Sequence, residues 1–520
     1  MTETPPAHIP VAQTRAEERI LAEVAQSGRI MLGDGSRPTA STAEVEVRAA
    51  FLRDLLQSGG PLGAGKGLRL RGAWVSGALD LQGADIGVDV SLSHCHLAEA
   101  VTLVNTRLRG LYLTGCHIAG LAADHARFDG SLYLRDGTHV AGEISLAGAV
   151  IVGDVQCCGV EIACPGADAI FAPQLEVTGS MFLGNYPYSD GETTLTCNGM
   201  LFLSSLRVAH DVFVSHSAIA PKDDPLTGSI FGATEEHGRS IALSLARAQV
   251  GGLLYFQANQ INRGIVNLAG ATVARLTDEP EGPGAAYPIR LDGFRYTDFS
   301  RHTNTSLSAR LKWVERRPEG TPFTAQPYEQ LADVLGRMGH RLDAQAVLMR
   351  KERRLREEDR ALMRNPARKG VAWFADGVLR LAIGYGYRPA RALVVTVVLI
   401  AALGLFFDAT WRAGDMTPNA APILVSAEWV RATQVSETPG AYWSQPGRAG
   451  QDWETFNAFA YAADLLIPIV DLGQESAWAP STSRSPLGQA AWWIRWFAKA
   501  LGWVITALAA AAVTGVIRRE

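Results

Sequence analysis

Residues 70–118 read LRGAWVSGALDLQGADIGVDVSLSHCHLAEAVTLVNTRLRGLYLTGCHI, and one phrase recurs through them. A large apolar residue is followed three places on by a small one and two places later by another apolar one. Leu70, Ala73 and Val75 begin it; Leu81, Ala84 and Ile86 repeat it eleven residues later. Leu92, Cys95 and Leu97 follow, then Leu103, Thr106 and Leu108, and after a step of ten Leu113, Cys116 and Ile118. The phrase returns with Leu245, Ala248 and Val250, with Phe256, Asn259 and Ile261, and with Leu268, Ala271 and Val273. Apolar residues two apart are the period of a strand, and a beat of eleven is far too short for a helical repeat. Glycines such as Gly72, Gly77, Gly83, Gly110 and Gly270 stand beside the small residue, where the chain must turn. Short strands that turn every few residues and keep aiming one apolar side chain inward predict a right-handed parallel β-helix, in a chain that is mainly β. A β-sandwich is the competing arrangement, but sandwiches do not keep so regular a register. Two beats make a coil of 21 or 22 residues, and each coil adds about 4.8 Å of height. Some ten coils between about residue 68 and residue 293 would then give a rod of roughly 50 Å.

The ends of such a rod are open sheet edges and need covers. Ala16–Gln26 and Ala43–Gln57 read as amphipathic helices before the first coil, the second with Ser41 and Thr42 as candidate N-caps. Beyond the last coil, Ser306–Trp313 reads as a helix. Gln326–Glu358 reads as a helical hairpin broken at Gly339–His340, similar to a single tetratricopeptide unit.

The C-terminal third is different. Ala392–Phe407 is uncharged and apolar apart from Thr396, and Ala500–Ile517 is a second uncharged run. Both approach the length that crosses a bilayer, and Trp492, Trp493, Trp496 and Trp503 stand where an interfacial aromatic belt would. A buried core helix is the alternative for each, but both runs are flanked by charge. From Arg350 to Arg391 the chain carries twelve Lys or Arg against five acids, and Arg518 and Arg519 follow the second run. The positive-inside rule therefore predicts that both termini and the β-helix are cytoplasmic, with Arg412–Ala490 outside. Within that loop TFNAFAYAADLLIPIV, residues 455–470, is apolar yet carries Asp464 and Pro468. It is read either as an interfacial helix or as a re-entrant segment. In the re-entrant case, residues 468–474 would form the constriction of an oligomeric pore, with Pro468 and Gln474 lining it and Asp464 and Asp471 as cation-attracting rings. Arg350, Lys351, Arg353, Arg354, Arg368 and Lys369 form a basic cluster expected to face anionic lipid.

With 520 residues, 47% apolar, 19% charged and a net charge of −4, the chain is neither disordered nor a basic nucleic-acid-coating protein. The N-terminus lacks an apolar secretion signal, and the six cysteines, all between Cys95 and Cys197, form no C-x-x-C pair, so they are read as reduced thiols. Other motifs fail on context. Gly60–Gly67 suggests a phosphate loop but has Gly67 where Ser or Thr should bind magnesium. Gly384-Tyr385-Gly386 resembles a potassium filter but precedes the first span and is followed by Arg388. His96 and His117 would stack on adjacent coils and could share a metal, although a surface ladder, with Cys95 and Cys116 turned inward, is the simpler reading. The acidic pairs Asp223-Asp224 and Glu235-Glu236 have no assignable partner. No catalytic constellation, cofactor site or metal site is found.

The coils resemble the pentapeptide-repeat β-helix class, with Ala84-Asp85-Ile86 near its consensus. Over most of its length the chain resembles a family of uncharacterised bacterial membrane proteins with an N-terminal β-helix and two C-terminal spans. Four segments carry this resemblance: Leu291-Asp292-Gly293-Phe294-Arg295-Tyr296, Pro327-Tyr328-Glu329-Gln330-Leu331-Ala332, Gly384-Tyr385-Gly386-Tyr387-Arg388-Pro389 and Pro468-Ile469-Val470-Asp471-Leu472-Gly473. The resemblance implies a multi-pass protein of the bacterial inner membrane, and some members are labelled membrane-associated oxidoreductases, which would imply a cofactor. The expected divisions are a helical cap (1–62), the β-helix (63–300), a helical hairpin with a basic juxtamembrane helix (301–370) and a membrane domain (371–520), with spans near 392–411 and 498–517. The expected function is a membrane-anchored protein-interaction or sensing scaffold, non-catalytic on its residues. Membrane lipid, an unidentified protein and a homo-oligomer are the expected partners, and nucleic acid is not. The alternatives are the two-span channel and the oxidoreductase.

Overall fold

In a computed structural model the alternating stretches close into a parallel β-solenoid of about nine turns. The structure describes residues 10–513 apart from 28, 59–61, 63–66, 189, 222–234, 237–238, 262 and 388–389. Gly60–Gly67 for the most part, and Asp223-Asp224, Arg518 and Arg519, lie outside the described residues. The chain divides into two compact units, Met1–Val347 and Leu348–Glu520, with the division inside a single helix.

Each coil has four short sides, and one column of inward side chains runs up each. Leu70, Leu92, Leu113, Leu134, Cys157 and Leu183 pair in succession on one side. Val75, Leu97, Ile118, Val140 and Ile162 form the next column. Leu79, Val101, Leu121, Ile144 and Ile170 form the third. Ile86, Leu108, Phe128, Ile151 and Val177 form the fourth. All of these side chains are buried, and each is worth about 1.5–3 kcal/mol by leaving water. Between the third and fourth sides the backbone turns through the left-handed region on every rung, at Gly83, Asn105, His125, Gly148, Gln174, Ser205, Arg247 and Gly270. Each of these N–H groups donates to a carbonyl of the rung above, so the corner is itself a hydrogen-bonded ladder. Glycine is at ease there; Gln174 and Arg247 hold that conformation because the rungs on both sides impose it.

The regular beat is lost in the middle because residues are inserted between sides. Leu92 pairs with Leu113, 21 places on, but Leu183 pairs with Val214 and Val214 with Phe256. The first coil also starts earlier than residue 63. Arg29–Met31 pairs with Arg69–Arg71, and Glu46–Arg48 with Trp74–Ser76. The expected helix from Ala43 is therefore shorter: Glu46–Arg48 is strand, with Val47 the inward residue, and helix α2 spans Ala49–Gln57 after α1, Arg15–Ser27. Arg48, not Ser41 or Thr42, precedes α2.

Both ends are tied by ionic and amide bonds. At the first coil the buried Glu17 accepts from the Arg48 side chain at 2.7 and 2.9 Å and from the Gln13 and Arg48 backbone N–H groups. At the last coil, α3 (Leu307–Glu315) lays Arg310 over Asp278. Asp278 pairs with Phe256 and so occupies the rung position where Leu or Val stands elsewhere. Arg310 is 0% and Asp278 6% exposed in their side chains, and the two form a bidentate pair at 2.6 and 3.0 Å. Helix α4 (Gln326–Arg337) then satisfies the open edge with amides. Gln326 accepts from the Gly293 N–H and donates to the Phe294 carbonyl, and Gln330 donates to the Tyr296 carbonyl.

Helix α5 (Arg341–Leu362) enters the second unit, where α6 spans Pro366–Ile383 and α7 Ala390–Arg412. The region between the two apolar runs is folded. Short helices α8 (Ala421–Leu424), α9 (Ala427–Val435), α10 (Pro439–Trp443), α11 (Ala458–Leu466) and α12 (Gln474–Ala477) gather around a small antiparallel pairing of Met416–Pro418 with Trp478–Pro480. Helix α13 runs Pro486–Val513, beginning well before the expected span. Among the described residues two helices, Ala390–Arg412 and Pro486–Ala511, are long and apolar enough to cross a membrane. Many of their apolar side chains, Leu393, Val397 and Val398 among them, are exposed rather than buried in the protein.

Candidate functional site

Helix α11 is wedged against both long helices, and small residues make room for it. A Cβ on Gly404 of α7 would meet the Phe459 ring at 2.4 Å, and one on Gly502 of α13 would meet the Leu466 backbone at 2.6 Å. Tyr461 packs edge-on to Phe407 at 4.8 Å. Thus the segment that the sequence leaves open between interfacial and re-entrant lies beside the apolar run of α7 and is held there by packing.

This wedge places Asp464 at the wall of a cavity of about 470 Å³, lined also by Pro468, Asp471, Glu475, Arg495, Lys499 and Trp503. Asp464 is buried, and its carboxylate accepts from the backbone N–H groups of Leu472 (2.6 Å), Gln474 (2.8 Å) and Glu475 (3.1 Å). It therefore caps α12 and folds the 467–473 loop back on α11, a role in which its negative charge meets unpaired helix donors. Asp471 is exposed and accepts only locally, from the Gly473 N–H at 2.9 Å. Gln474 is buried outside the cavity; it accepts from the Asn457 N–H and donates to Glu454 and to the Thr455 carbonyl. Of the four residues read from the sequence as a pore lining, the structure gathers Asp464, Pro468 and Asp471 in one cavity and spends Gln474 on bracing the α11 N-terminus.

What the sequence reading missed is the ionic triad opposite. Glu475 accepts from Arg495 at 3.1 Å and from Lys499 at 2.9 and 3.1 Å, so one carboxylate holds two cations of α13. The signal was present as two basic residues four apart on an otherwise apolar helix, but nothing in the sequence pointed to Glu475 as their partner. With Asp471 open and the triad half-buried, the cavity offers both signs of charge and suits an ion or a zwitterionic group; none of its lining side chains is arranged as a nucleophile with a base.

The basic cluster divides in two. On α5, Arg353 bonds Glu357 at 2.8 Å, Arg354 bonds it at 3.3 Å and Lys351 lies 3.4 Å from Glu352. Burial works against the Glu357 charge, but the bond from Arg353 and the neighbouring arginines hold its carboxyl below the ordinary range. Arg350 is likewise engaged. Arg368 and Lys369 stand in the exposed first turn of α6, whose N-terminus is capped by Asn365. The Gly384-Tyr385-Gly386 segment is a turn between α6 and α7, with Gly384 and Tyr385 both left-handed.

On the solenoid, His96 and His117 do stack, within a longer ladder. Ring centroids of Trp74, His96, His117 and His139 follow one another at 4.0, 4.7 and 4.9 Å with planes within 12°. Imidazole lone pairs lie in the ring plane, so parallel rings direct them side by side and not onto a shared ion. Cys95 and Cys116 are buried on the inner side. A second outer ladder carries Tyr112 and Tyr133, with Arg135 over the Tyr133 and Tyr186 rings. No family model matches the chain, and neither a curated protein nor a solved structure matches it.

Proposed function

We propose that this protein is a membrane-anchored scaffold whose solenoid offers repeated outer faces for protein binding or self-association. The observation that carries this reading is the combination, in one chain, of outward-facing apolar side chains on α7 and α13 with side-chain ladders that run rung after rung on the solenoid. Repetition produces long, flat, chemically uniform surfaces, which suit another macromolecule better than a small substrate. The excess of basic residues between Arg350 and Arg391 supports a cytoplasmic solenoid, and the family resemblance supports a bacterial inner membrane.

The test is reconstitution of the full chain in liposomes, with carbonate extraction, particle mass and ion flux measured on one preparation. The scaffold reading expects resistance to extraction and no flux. It also expects a discrete adduct in native membranes when a photo-crosslinking residue replaces His117. Flux whose selectivity changes in Asp464→Asn or Asp471→Asn would replace this reading with the channel.

A further inference from the structure

Helix α6 carries an apolar stripe that the protein itself leaves uncovered. Val371, Phe374 and Leu381 are 70, 68 and 66% exposed and fall at positions i, i+3 and i+10, one side of a helix. Trp373, 71% exposed, stands on the flank with Lys369 and Arg380 four residues before and seven after it. The opposite side is engaged: Leu379 packs against the small buried core formed by Ala392 of α7 and Ile505 of α13.

The electrostatics of α6 are equally one-sided. Its one acid, Asp376, is consumed by its neighbours, taking a bond from Arg360 at 2.8 Å and from the Tyr385 hydroxyl at 2.9 Å, with Arg356 at 3.7 Å. The cations Arg368, Lys369 and Arg380 are thereby left as the net charge of the helix. An exposed apolar stripe, a tryptophan beside cations and no uncompensated acid are the requirements of a helix lying in a lipid headgroup layer. Continuity gives the same answer, since only six residues separate Ile383 from the first residue of α7.

We infer that α6 is a third membrane element, an interfacial helix that sinks Val371, Phe374 and Leu381 into the acyl boundary of an anionic leaflet while Arg368, Lys369 and Arg380 meet its phosphates. This rests on the reading of α7 as a span, and the test separates the two. The six native thiols are buried, so single cysteines can be placed and labelled in the full chain. Phe374→Cys and Val398→Cys are each labelled with an environment-sensitive fluorophore and reconstituted in phosphatidylcholine vesicles containing phosphatidylglycerol. Nitroxide lipids quench at a shallow or a deep position, and iodide quenches from water. The span predicts deep quenching at position 398; its loss would overturn the anchor itself. The interfacial helix predicts shallow nitroxide quenching at position 374 with little iodide quenching. Removing Arg368 or Lys369 as Gln should lower the inserted population by roughly fivefold per charge. Iodide quenching at 374 with 398 still deep, or shielding of 374 from both quenchers as by a protein partner, would overturn the inference alone. Insensitivity to Arg368→Gln and Lys369→Gln would overturn its anionic-lipid part.

Discussion

The solenoid and the C-terminal unit use apolar residues in opposite ways. Among the described residues, six large exposed apolar side chains lie in the first unit and twenty-five in the second. In the solenoid each inward side chain meets its counterpart one rung above and below, and the two ends are closed by buried ion pairs and by glutamine amides. In the second unit the long helices are packed on one side only, through small residues such as Gly404 and Gly502, and keep their aliphatic residues on the outside. Water is thus the solvent the first unit is built against, whereas the outer faces of α7 and α13 in the second unit are apolar enough for a nonpolar solvent.

The largest effect that would sharpen this contrast is at the closed end of the solenoid. Arg310→Ala strands the buried Asp278 charge and should cost about 3–5 kcal/mol in denaturant unfolding of the full chain. Replacing the pair together, Asp278→Leu with Arg310→Met, restores the apolar column and should recover most of that loss. If the double variant is as weak as the single one, the rung position is not the hydrophobic slot described above. Next comes the C-terminal unit, where Asp464→Ala removes a carboxylate from three backbone donors. A loss of about 1.5–3 kcal/mol is expected, with amide exchange accelerated at Leu472, Gln474 and Glu475 ahead of the rest of the chain. Uniform exchange would place the cap's importance elsewhere. A smaller change, of opposite sign, is expected at a solenoid corner. Ala258 sits at φ 56°, a left-handed cost of about 1–2 kcal/mol that glycine avoids, partly offset by glycine's freedom in the unfolded chain. Ala258→Gly should therefore stabilise by about 0.5–1 kcal/mol, read as a rise in Tm.

The smallest effect is a pH dependence of the histidine ladder. Burial, with the charge of Arg37, lowers the His96 pKa below the ordinary 6.5, and burial with the charges of His96, His139 and Arg37 lowers that of His117. The unfolded chain then takes up protons first, so stability is full above pH 6.5 and falls as pH drops below it. The rings are only half-buried, so the fall is shallow; a Tm difference between pH 7.5 and pH 5.5 should shrink in the variant carrying His96→Gln and His117→Gln. An unchanged difference would assign it to other groups.

The two units were also unequally legible. The rungs from Leu70 to Ile118 could be read because each phrase names its own inward residues and the spacing hardly varies. The first coil escaped because its three-residue strands lie forty and twenty-eight residues from their partners, and a strand that short has no periodicity of its own. Rungs between Ile118 and Leu245 escaped because insertions stretch the register without altering the pairing. In the C-terminal unit, Asp464 was conspicuous as an acid inside an apolar segment, but its role depends on how the 467–473 loop folds back, which no spacing records. The Glu475 triad and the α6 stripe were missed for the same reason: both arise from which side of a helix its neighbours leave open.

The left-handed corner repeated on every rung has a consequence for how such a chain can change over time. Because Leu92, Leu113 and Leu134 succeed one another in one column at steps of 21 residues, a segment of that length duplicated or excised between them would keep the column in register and leave both capped ends with their own sequence. In such a stack, length would change by whole coils, and the reach of the solenoid would then change separately from what caps it.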